Sequence, residues 1–400
     1  MPNAADDDLR ESMAAHKAGR FAEAEAGYRR VLEARPADPK SLYYLGLLQF
    51  HRGDTEGAIE LVRRCLSYAP SNAPAWNTLG GLYVAAGRNA DAREAYRRVT
   101  LVAPAMGEGW YNLGICRRDE GDIEGALESL RASIAHQADY FRSYEALAMM
   151  LYQLGRVQEA GRVYGEWAAR DPRNPTARHM AAATSQQNVP ARAADDYVRT
   201  LFDNSAKSFD ADLGKLGYRA PGLVAAAAGR SAGAGTLSAI LDAGCGTGLC
   251  GPLVREYCAN LLGVDLSPQM IEHARARACY DELVVAELSA FMRARPGAFD
   301  AIVSADTLVY FGALEAPLSA AWQALRPGGV LIFTVEALAD EAAADYRLEA
   351  HGRYGHSGTY VRRTLQIAGF EAETLTRETL REERTQRVEG HLVVARRPSS

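Results

Sequence analysis

The chain has 400 residues, which is too long for one ordinary hydrophobic core and favours two or more domains. Apolar residues make up 48% and charged residues 24% of the chain, and the formal net charge is -5 at pH 7, which does not favour nucleic acid or an anionic membrane as a partner. The first residues carry no basic segment followed by an apolar stretch, and no run approaches the roughly 20 apolar residues that span a bilayer. We therefore expect a cytoplasmic protein with no membrane or nucleic-acid partner.

Six cysteines are spread along the chain, without a CxxC pair and without histidines at the spacing of a zinc site. Cysteines in such a pattern are expected to be reduced thiols rather than a disulfide framework. The sequence therefore predicts no disulfide, no structural zinc and no other metal.

The first half of the chain repeats itself with a period of 34 residues. Alanines and turn glycines both recur at this step, at Ala24, Ala58, Ala92, Ala126 and Ala160 and at Gly19, Gly53, Gly87, Gly121 and Gly155. A period of about 34 residues is that of the tetratricopeptide repeat (TPR), a helix–turn–helix unit.

Each unit is predicted to contain two closely packed helices. A small residue on the first helix and the recurring alanine on the second let the helices approach, and Pro36, Pro70 and Pro104 stop the second helix. We predict an α superhelix of TPR repeats over residues 5–187, ending in a capping helix. Its groove is expected to hold a protein or peptide partner. The alternative is that the array serves only self-association or stability.

From about residue 237 the pattern changes to short apolar runs separated by helical segments. The apolar runs predict strands at residues 238–244, 260–266, 282–288, 299–306, 328–336 and 389–397. Strands that alternate with helices indicate a mostly parallel sheet covered on both faces, in a Rossmann-like α/β domain. Ligands bind beyond the carboxyl ends of the strands in such sheets.

The first predicted strand ends in the segment LDAGCGTGLCG, with Asp242 followed by Gly244, Gly246 and Gly248. Glycines let the backbone turn sharply and approach a ligand closely. A lone GxGxG could also belong to a dinucleotide site, although that fingerprint usually spaces its glycines as GxGxxG around a pyrophosphate. The acidic residue before the first glycine favours a methyl donor instead.

Further acidic residues follow the next predicted strands. Asp265 ends the second strand in GVDLSPQM, where it can accept hydrogen bonds from ribose hydroxyls. Glu287 follows the third strand, and Asp306 ends the fourth.

Taken in order, these segments resemble the motifs of class I S-adenosylmethionine-dependent methyltransferases. With its repeats, the chain resembles bacterial proteins described as TPR-containing predicted methyltransferases. The resemblance implies S-adenosyl-L-methionine as cofactor, and it places Glu287 where the family usually has an aspartate that meets adenine, with the Leu288 backbone amide beside it. The implied cofactor-binding residues are Asp242, Gly244, Gly246, Gly248, Asp265, Leu266, Met270, Glu287, Leu288 and Asp306.

Residues 188–236 are predicted to form linking or lid helices, and residues 237–398 the methyltransferase domain. The segment 197–221 resembles the amino-terminal lid of many small-molecule methyltransferases. Tyr197, Phe202 and Phe209 in this segment either cover the methionine end of the ligand or form the packed face of helices that join the domains.

Methyl transfer is an in-line displacement that requires alignment and exclusion of water, and a base can assist when the acceptor carries a proton. Tyr354 and His356 follow the fifth predicted strand, where class I enzymes commonly build the acceptor pocket, and Tyr310 follows Asp306. These three residues are the predicted catalytic residues. The alternative for Tyr354 and His356 is an ordinary surface loop.

The sequence predicts a methyltransferase whose repeats recruit a protein partner or acceptor. Two other readings remain open. In one, the repeats form a scaffold and the second domain is a ligand sensor with little catalytic activity. In the other, the fold is kept and the cofactor is NAD.

Overall fold

The structure is a computed structural model that describes residues 4–233, 235–339, 344–383 and 386–399. The chain divides into two compact units, residues 1–163 and residues 164–400. None of the described helices is long and apolar enough to cross a membrane.

The first unit consists of consecutive helices, each of which packs against the next along the chain from α1 to α9; helix α10 crosses the boundary at residue 163. The helices are α1 (Ala4–Lys17), α2 (Phe21–Ala34), α3 (Pro39–His51), α4 (Thr55–Tyr68), α5 (Ala73–Ala85), α6 (Asn89–Val102), α7 (Gly107–Asp119), α8 (Ile123–His136), α9 (Arg142–Gln153) and α10 (Val157–Arg170). Two helices per 34 residues is the arrangement that the repeat predicts.

The turns inside the helix pairs explain the recurring glycines. All five turn glycines lie in the left-handed region, with φ between 72° and 87°. A Cβ at any of them would meet no atom within 4 Å, so backbone conformation, rather than lack of space, requires glycine there. The five recurring alanines are fully buried, at 0% exposure.

The small residues on the first helix of each pair are required by close packing. A Cβ at Gly46 would lie 2.9 Å from Cγ2 of Val62 and 3.3 Å from the carbonyl oxygen of Ala58. A Cβ at Gly114 would lie 3.2 Å from the carbonyl oxygen of Ala126. Because a backbone carbonyl cannot move aside, only a small residue fits, and the predicted helix-pair packing is confirmed.

The second unit begins with α-helices and continues as an α/β domain. Its helices after α10 are α11 (Pro175–Ser185), α12 (Asp195–Ser205), α13 (Phe209–Lys215), α14 (Ala220–Ala232), α15 (Gly251–Val254), α16 (Pro268–Ala276), α17 (Leu288–Arg293), α18 (Glu315–Ala324) and α19 (Gly358–Ile367). Its strands are β1 (Leu237–Ala243), β2 (Cys258–Asp265), β3 (Glu282–Val285), β4 (Phe299–Ser304), β5 (Leu325–Ala337), β6 (Tyr346–Leu348), β7 (Tyr354–His356), β8 (Glu371–Glu383) and β9 (Gln386–Arg396).

The strands form one mixed sheet. Strands β3, β2, β1, β4 and β5 are neighbours in that order and run parallel, and β9 is antiparallel to both β5 and β8. The six predicted strands are confirmed as β1, β2, β3, β4, β5 and β9. One apolar cluster, around Leu241 and Phe333, contains residues of α17, α18 and α19, whereas another, around Ile240 and Ile332, contains residues of α14.

Three strands are not predicted by the sequence. β6 and β7 are only three residues long and pair with each other as a hairpin, which is too short for a periodic pattern. β8 is exposed along most of its length and is rich in threonine, glutamate and arginine, so it carries no apolar alternation.

Helix α11, which the prediction groups with the repeats as a cap, packs on the β6–β7 hairpin. Ala182 and Ala183 join Leu348 and Tyr354 in one apolar cluster. This helix therefore contributes to the core of the second unit.

Candidate functional site

A tight loop follows β1 and borders open space. Its three glycines lie in the left-handed region, with φ of 78° at Gly244, 53° at Gly246 and 83° at Gly248. The Gly244 and Cys245 amides both donate to the carbonyl oxygen of Val264, at 2.8 and 3.0 Å, which ties the loop to β2. A Cβ at Gly246 would meet no atom within 4 Å, so the loop backbone is open to a ligand at this residue.

The other two glycines of the loop are required by packing within the chain. A Cβ at Gly244 would overlap the side chain of Thr307. A Cβ at Gly248 would lie 3.0 Å from the ring of Tyr280 and 3.2 Å from Cα of Ala274. Packing within the chain thus requires glycine at residues 244 and 248, whereas at Gly246 the absence of a side chain leaves the backbone open to a ligand.

Asp265 at the end of β2 holds its carboxylate in a fixed orientation. The Gly246 amide donates to Oδ2 at 2.9 Å and the Ser267 amide donates to Oδ1 at 2.8 Å. Burial raises the pKa of Asp265, and these backbone amides oppose that rise. Since each carboxylate oxygen can accept more than one hydrogen bond, Asp265 remains able to bind a ligand hydroxyl.

Glu287 caps helix α17. Its two carboxylate oxygens accept hydrogen bonds from the amides of Ser289, at 3.0 Å, and Ala290, at 2.7 Å. Burial would raise the pKa of Glu287, but these amides and the charge of Arg192 outweigh burial and lower it. Its role with adenine stays a prediction, and Leu288 beside it is buried.

Asp306 follows β4 in the left-handed region, with φ of 51°, a conformation that residues other than glycine seldom adopt. Its amide donates to Oγ1 of Thr334 at 2.9 Å, and the Thr334 hydroxyl donates to Oδ1 at 3.0 Å. The Arg381 guanidinium donates to Oδ2 at 2.6 Å. Asp306 is therefore held on both of its carboxylate oxygens.

Arg381 belongs to a buried ion-pair network on the sheet. The residue is 4% exposed and also pairs with Glu336 and Glu383. A second cation, Arg353, pairs with the same two glutamates at 2.6 and 2.7 Å. Burial favours protonated Glu336, but the two guanidiniums outweigh burial and lower its pKa to about 2.

Aromatic side chains from the helices before the sheet meet the end of β4. The ring of Phe202 lies 5.8 Å from that of Phe209 and 5.4 Å from that of Tyr310, in edge-to-face contacts. Phe202 and Phe209 both line the cavity described below, whereas Tyr197 is buried and stacks on His179 with ring centroids 3.9 Å apart. Tyr197 thus packs within the chain, and the role of Phe202 and Phe209 in covering the methionine end of the ligand stays a prediction.

Two acidic residues of helices α12 and α13 accept hydrogen bonds from the loops after β1 and β2. Asp203 accepts a hydrogen bond of 2.5 Å from the hydroxyl of Ser267. Asp210 accepts one of 2.5 Å from the hydroxyl of Thr247 and also pairs with Arg277. Helices α12 and α13 are therefore closed over the loops.

The elements described above enclose a cavity with about 940 Å³ of empty space, part of it open to solvent. Eight of the predicted site residues line it together: Gly244, Gly246, Asp265, Leu266, Glu287, Leu288, Asp306 and Tyr310. Within the described residues, no group of three or more His, Cys, Asp or Glu side chains could hold a metal ion.

Three predicted cofactor-binding residues do not line the cavity. Asp242 is fully buried and accepts a hydrogen bond of 2.7 Å from the Tyr280 hydroxyl, and burial raises its pKa to about 7. Met270 is fully buried in α16, and Gly248 packs against the end of that helix. Asp242 lies at the end of β1 beneath the glycine loop, so these residues support the walls of the cavity.

Tyr354 and His356, two of the predicted catalytic residues, are fully buried and do not line the cavity. The Tyr354 hydroxyl donates to the carbonyl oxygen of Pro190 at 2.7 Å. Nε2 of His356 lies 2.8 Å from the carbonyl oxygen of Phe311, and burial lowers the pKa of His356 to about 4. The structure places both in packing contacts behind the cavity, whereas Tyr310 faces the cavity.

Several residues at the site were missed by sequence reasoning. Arg192 and Tyr218 line the cavity, and Arg381 holds Asp306. Tyr218 lies within the predicted lid segment and could have been chosen as a fourth aromatic residue there. Arg381 lies in a polar, mostly exposed strand, where no sequence pattern separates it from its surface neighbours.

Comparison with known families agrees with this architecture. Residues 241–333 match a family described as "Methyltransferase domain". Residues 9–74 and 117–175 match one tetratricopeptide-repeat family, and residues 49–111 match a second.

The chain is similar to several curated methyltransferases. It is 35% identical over 95 residues to the malonyl-[acyl-carrier protein] O-methyltransferase of Enterobacter lignolyticus, covering 24% of this chain and 38% of that protein. It is 32% identical over 153 residues to human methyltransferase-like protein 27, covering 38% of this chain and 62% of that protein. The chain thus spans less than two thirds of either relative.

A solved structure of MamA, 21% identical, matches 40% of this chain and 94% of its own chain with a TM-score of 0.38.

Proposed function

We propose that this chain, in which tetratricopeptide repeats precede a methyltransferase domain, is a class I S-adenosylmethionine-dependent methyltransferase that methylates an acceptor recruited by its repeats. The observation that carries the proposal is the cavity beyond the carboxyl ends of the strands, lined by Gly246, Asp265, Glu287 and Asp306. Parallel sheets bind their ligands at this edge.

The lining of the cavity suits the parts of the methyl donor. Gly246 leaves its backbone open, Asp265 can accept hydroxyl groups of a ribose, and Leu288 offers an apolar surface for a base. Asp306 supplies a carboxylate near the aromatic rings of Phe202 and Tyr310. A carboxylate and aromatic faces both favour a cationic group, such as a sulfonium.

When bound, the donor supplies a methyl group already activated on a sulfonium sulfur. The residues of the chain then have to orient the acceptor and exclude water. The closed helices α12 and α13, with Phe202 and Phe209 on the cavity, serve the exclusion of water. Asp203 and Asp210 hold those helices in place.

The repeats offer an exposed surface that suits a protein partner. Phe50 and Val84 stand 34 residues apart at equivalent positions of successive units and are 42% and 49% exposed. Asn77 donates to Glu108 at 3.1 Å and accepts from Asn112 at 2.9 Å, which forms a polar row on the helices α5 and α7. Such a surface would raise the concentration of a bound acceptor near the active site without taking part in the chemistry.

Transfer of labelled methyl groups tests the proposal. Labelled S-adenosylmethionine and a lysate lacking this protein are incubated either with full-length protein or with a truncated chain that begins at Val157. The affinity of both proteins for S-adenosylhomocysteine is measured separately. This start keeps α10 and α11. We expect the truncated chain to bind S-adenosylhomocysteine but to lose protein labelling.

Other outcomes separate the alternatives. Full retention of labelling by the truncated chain would remove the recruitment role. Binding of S-adenosylhomocysteine without transfer to any acceptor would support the ligand-sensing alternative. A rise in melting temperature with NAD alone would favour the dehydrogenase alternative, since a ligand stabilises the state that binds it.

A further inference from the structure

A second groove adjoins the cofactor cavity on the far side of Tyr218. It contains about 1310 Å³ of empty space, including open solvent, between helices α13 and α14 and the short helix α15. Tyr218, Pro221 and Leu249 line both the groove and the cavity. These three residues therefore form a wall that the groove shares with the cofactor cavity, and the groove opens to solvent beyond them.

The lining of this groove is mostly apolar. Leu213, Leu223 and Leu253 line it beyond the shared residues, and Leu253 is 43% exposed. A Cβ at Gly214 or Gly222 would meet no atom within 4 Å, so the groove is not filled at its glycines. An exposed leucine beside an open apolar groove favours a ligand with an apolar chain.

Two phenol groups line the cavity, and one of them, that of Tyr218, belongs to the wall shared with the groove. Tyr218 and Tyr310 line the cavity, and among the described residues neither hydroxyl has a hydrogen-bond partner in the chain. Burial raises the pKa of Tyr310 to about 12 and that of Tyr218 well above its usual value. Both groups are thus neutral hydrogen-bond donors near neutral pH, and not bases.

The carboxylates that line the cavity are already engaged within the chain, and Asp195 among them pairs with Arg192 at 2.8 Å. Asp265 and Glu287 accept backbone amides, and Asp306 is paired with Arg381. No histidine lines the cavity among the described residues. An amine or alcohol acceptor would have to lose a proton, whereas a carboxylate is a nucleophile without losing one.

We propose that the groove holds the apolar arm of the methyl acceptor, an acyl chain whose terminal carboxylate is held by Tyr218 and Tyr310. This inference rests on the proposed methyl transfer. A carboxylate oxygen forms the new bond to the methyl carbon, the bond from that carbon to sulfur breaks, and its electron pair stays on sulfur. The products are a methyl ester and a neutral thioether, and no proton is released.

Calorimetry with simple carboxylates tests the groove. Full-length protein saturated with S-adenosylhomocysteine is titrated with butanoate, hexanoate and octanoate, and with octylamine for comparison. We expect affinity to rise about fourfold per added methylene, from the burial of apolar surface, and octylamine to bind at least tenfold more weakly than octanoate. Leu253→Asp should remove the dependence of affinity on chain length. The matched control is Leu201→Asp, because Leu201 lies in α12, is 38% exposed and lines neither the groove nor the cavity. This control should retain the dependence of affinity on chain length.

A second variant tests the carboxylate end. Tyr218→Phe should weaken all three carboxylates by roughly tenfold, the scale of one hydrogen bond to a charged group, and should leave the dependence on chain length intact. Failure of octanoate to bind, or equal binding of octylamine, would overturn the inference. In the lysate experiment, labelled methyl esters release methanol in alkali, and label that resists alkali would also overturn it. Loss of S-adenosylhomocysteine binding would instead count against the proposed function.

Discussion

Replacing Arg381 by methionine should separate a structural role of the buried ion pairs from a role in donor binding. Arg381 pairs with Asp306, Glu336 and Glu383, and is 4% exposed. In the variant both glutamates keep Arg353 as a partner, but Asp306 keeps only the hydroxyl and amide contacts with Thr334. Among the described residues, Asp306 thus loses the one cation that contacts it directly.

The expected loss of stability is about 3–5 kcal/mol, which is the usual cost of removing one partner of a buried ion pair. For a unit of residues 164–400, this lowers the melting temperature by roughly 6–20 °C. The transition of the methyltransferase unit is identified in full-length protein by its rise with S-adenosylhomocysteine.

The pH dependence supplies a more specific signature. Burial already raises the pKa of Asp306 above 3.8, and Arg381 opposes that rise, so removal of Arg381 raises it further. A folded pKa above the unfolded one destabilises the fold most at high pH, and the destabilisation is relieved as pH falls towards the unfolded pKa. Donor affinity should change in the opposite direction, because protonation removes the Asp306 charge. The variant should therefore gain stability relative to the native protein but lose donor affinity as pH falls.

The matched control is Arg353→Met, which removes a cation of the same network that has no direct contact with Asp306. It should lower the melting temperature while leaving affinity for S-adenosylmethionine within about threefold of the native value. Calorimetry between pH 5.5 and 8.5 measures both variants. Equal loss of donor affinity in the two variants, or none in Arg381→Met at any pH, would refute the role of Asp306 in donor binding.

Three further predictions follow from the site. Gly246→Ala should weaken donor binding at least tenfold by placing a Cβ in the cavity, with about 1–2 kcal/mol of backbone strain. Gly244→Val should instead mainly unfold the protein. Calorimetry and melting curves compare the two variants, and normal donor affinity in Gly246→Ala would contradict the assignment of this glycine to the donor site. Asp265→Ala should weaken donor and product alike by about 1.5–3 kcal/mol, and a change in turnover without a change in affinity would argue against contact with the ribose. Burial lowers the pKa of His356 to about 4, so the free energy of unfolding should fall by up to about 1.4 kcal/mol per pH unit as pH falls from 6.5 towards 4. His356→Gln should reduce this dependence of the free energy of unfolding on pH in denaturant titrations. An unchanged dependence would show that other groups cause it.

The local features of this protein follow from its sequence because their causes are local. The recurring glycines predict turns, since no other residue readily adopts their backbone conformation, and all five are found there. Buried parallel strands appear as apolar runs, so six of the nine strands were predictable. The GxGxG loop, Asp265 and Asp306 could be placed on one edge, because the carboxyl ends of parallel strands meet there.

Only the tertiary structure decided which of these residues reach the cavity. Asp242 and Gly248 belong to the motif, yet they pack beneath the loop, while His356 and Tyr354 point into the protein towards backbone carbonyls. Tyr218 reaches the site from the connection between α13 and α14. These placements depend on how strands, helices and loops distant in the chain pack together, and a local pattern contains no information about that packing.

The buried ion-pair network around Arg381 also could not be predicted from the sequence and depends on the tertiary structure. Arg381 lies 75 residues after Asp306 in the chain, on a strand whose residues are mostly exposed and polar. Its burial arises because β9 pairs with both β5 and β8, which brings the end of β8 to the carboxyl edge of the sheet near Glu336. A charged residue is buried only where partners from other elements surround it, so its position could be determined by the assembled sheet alone.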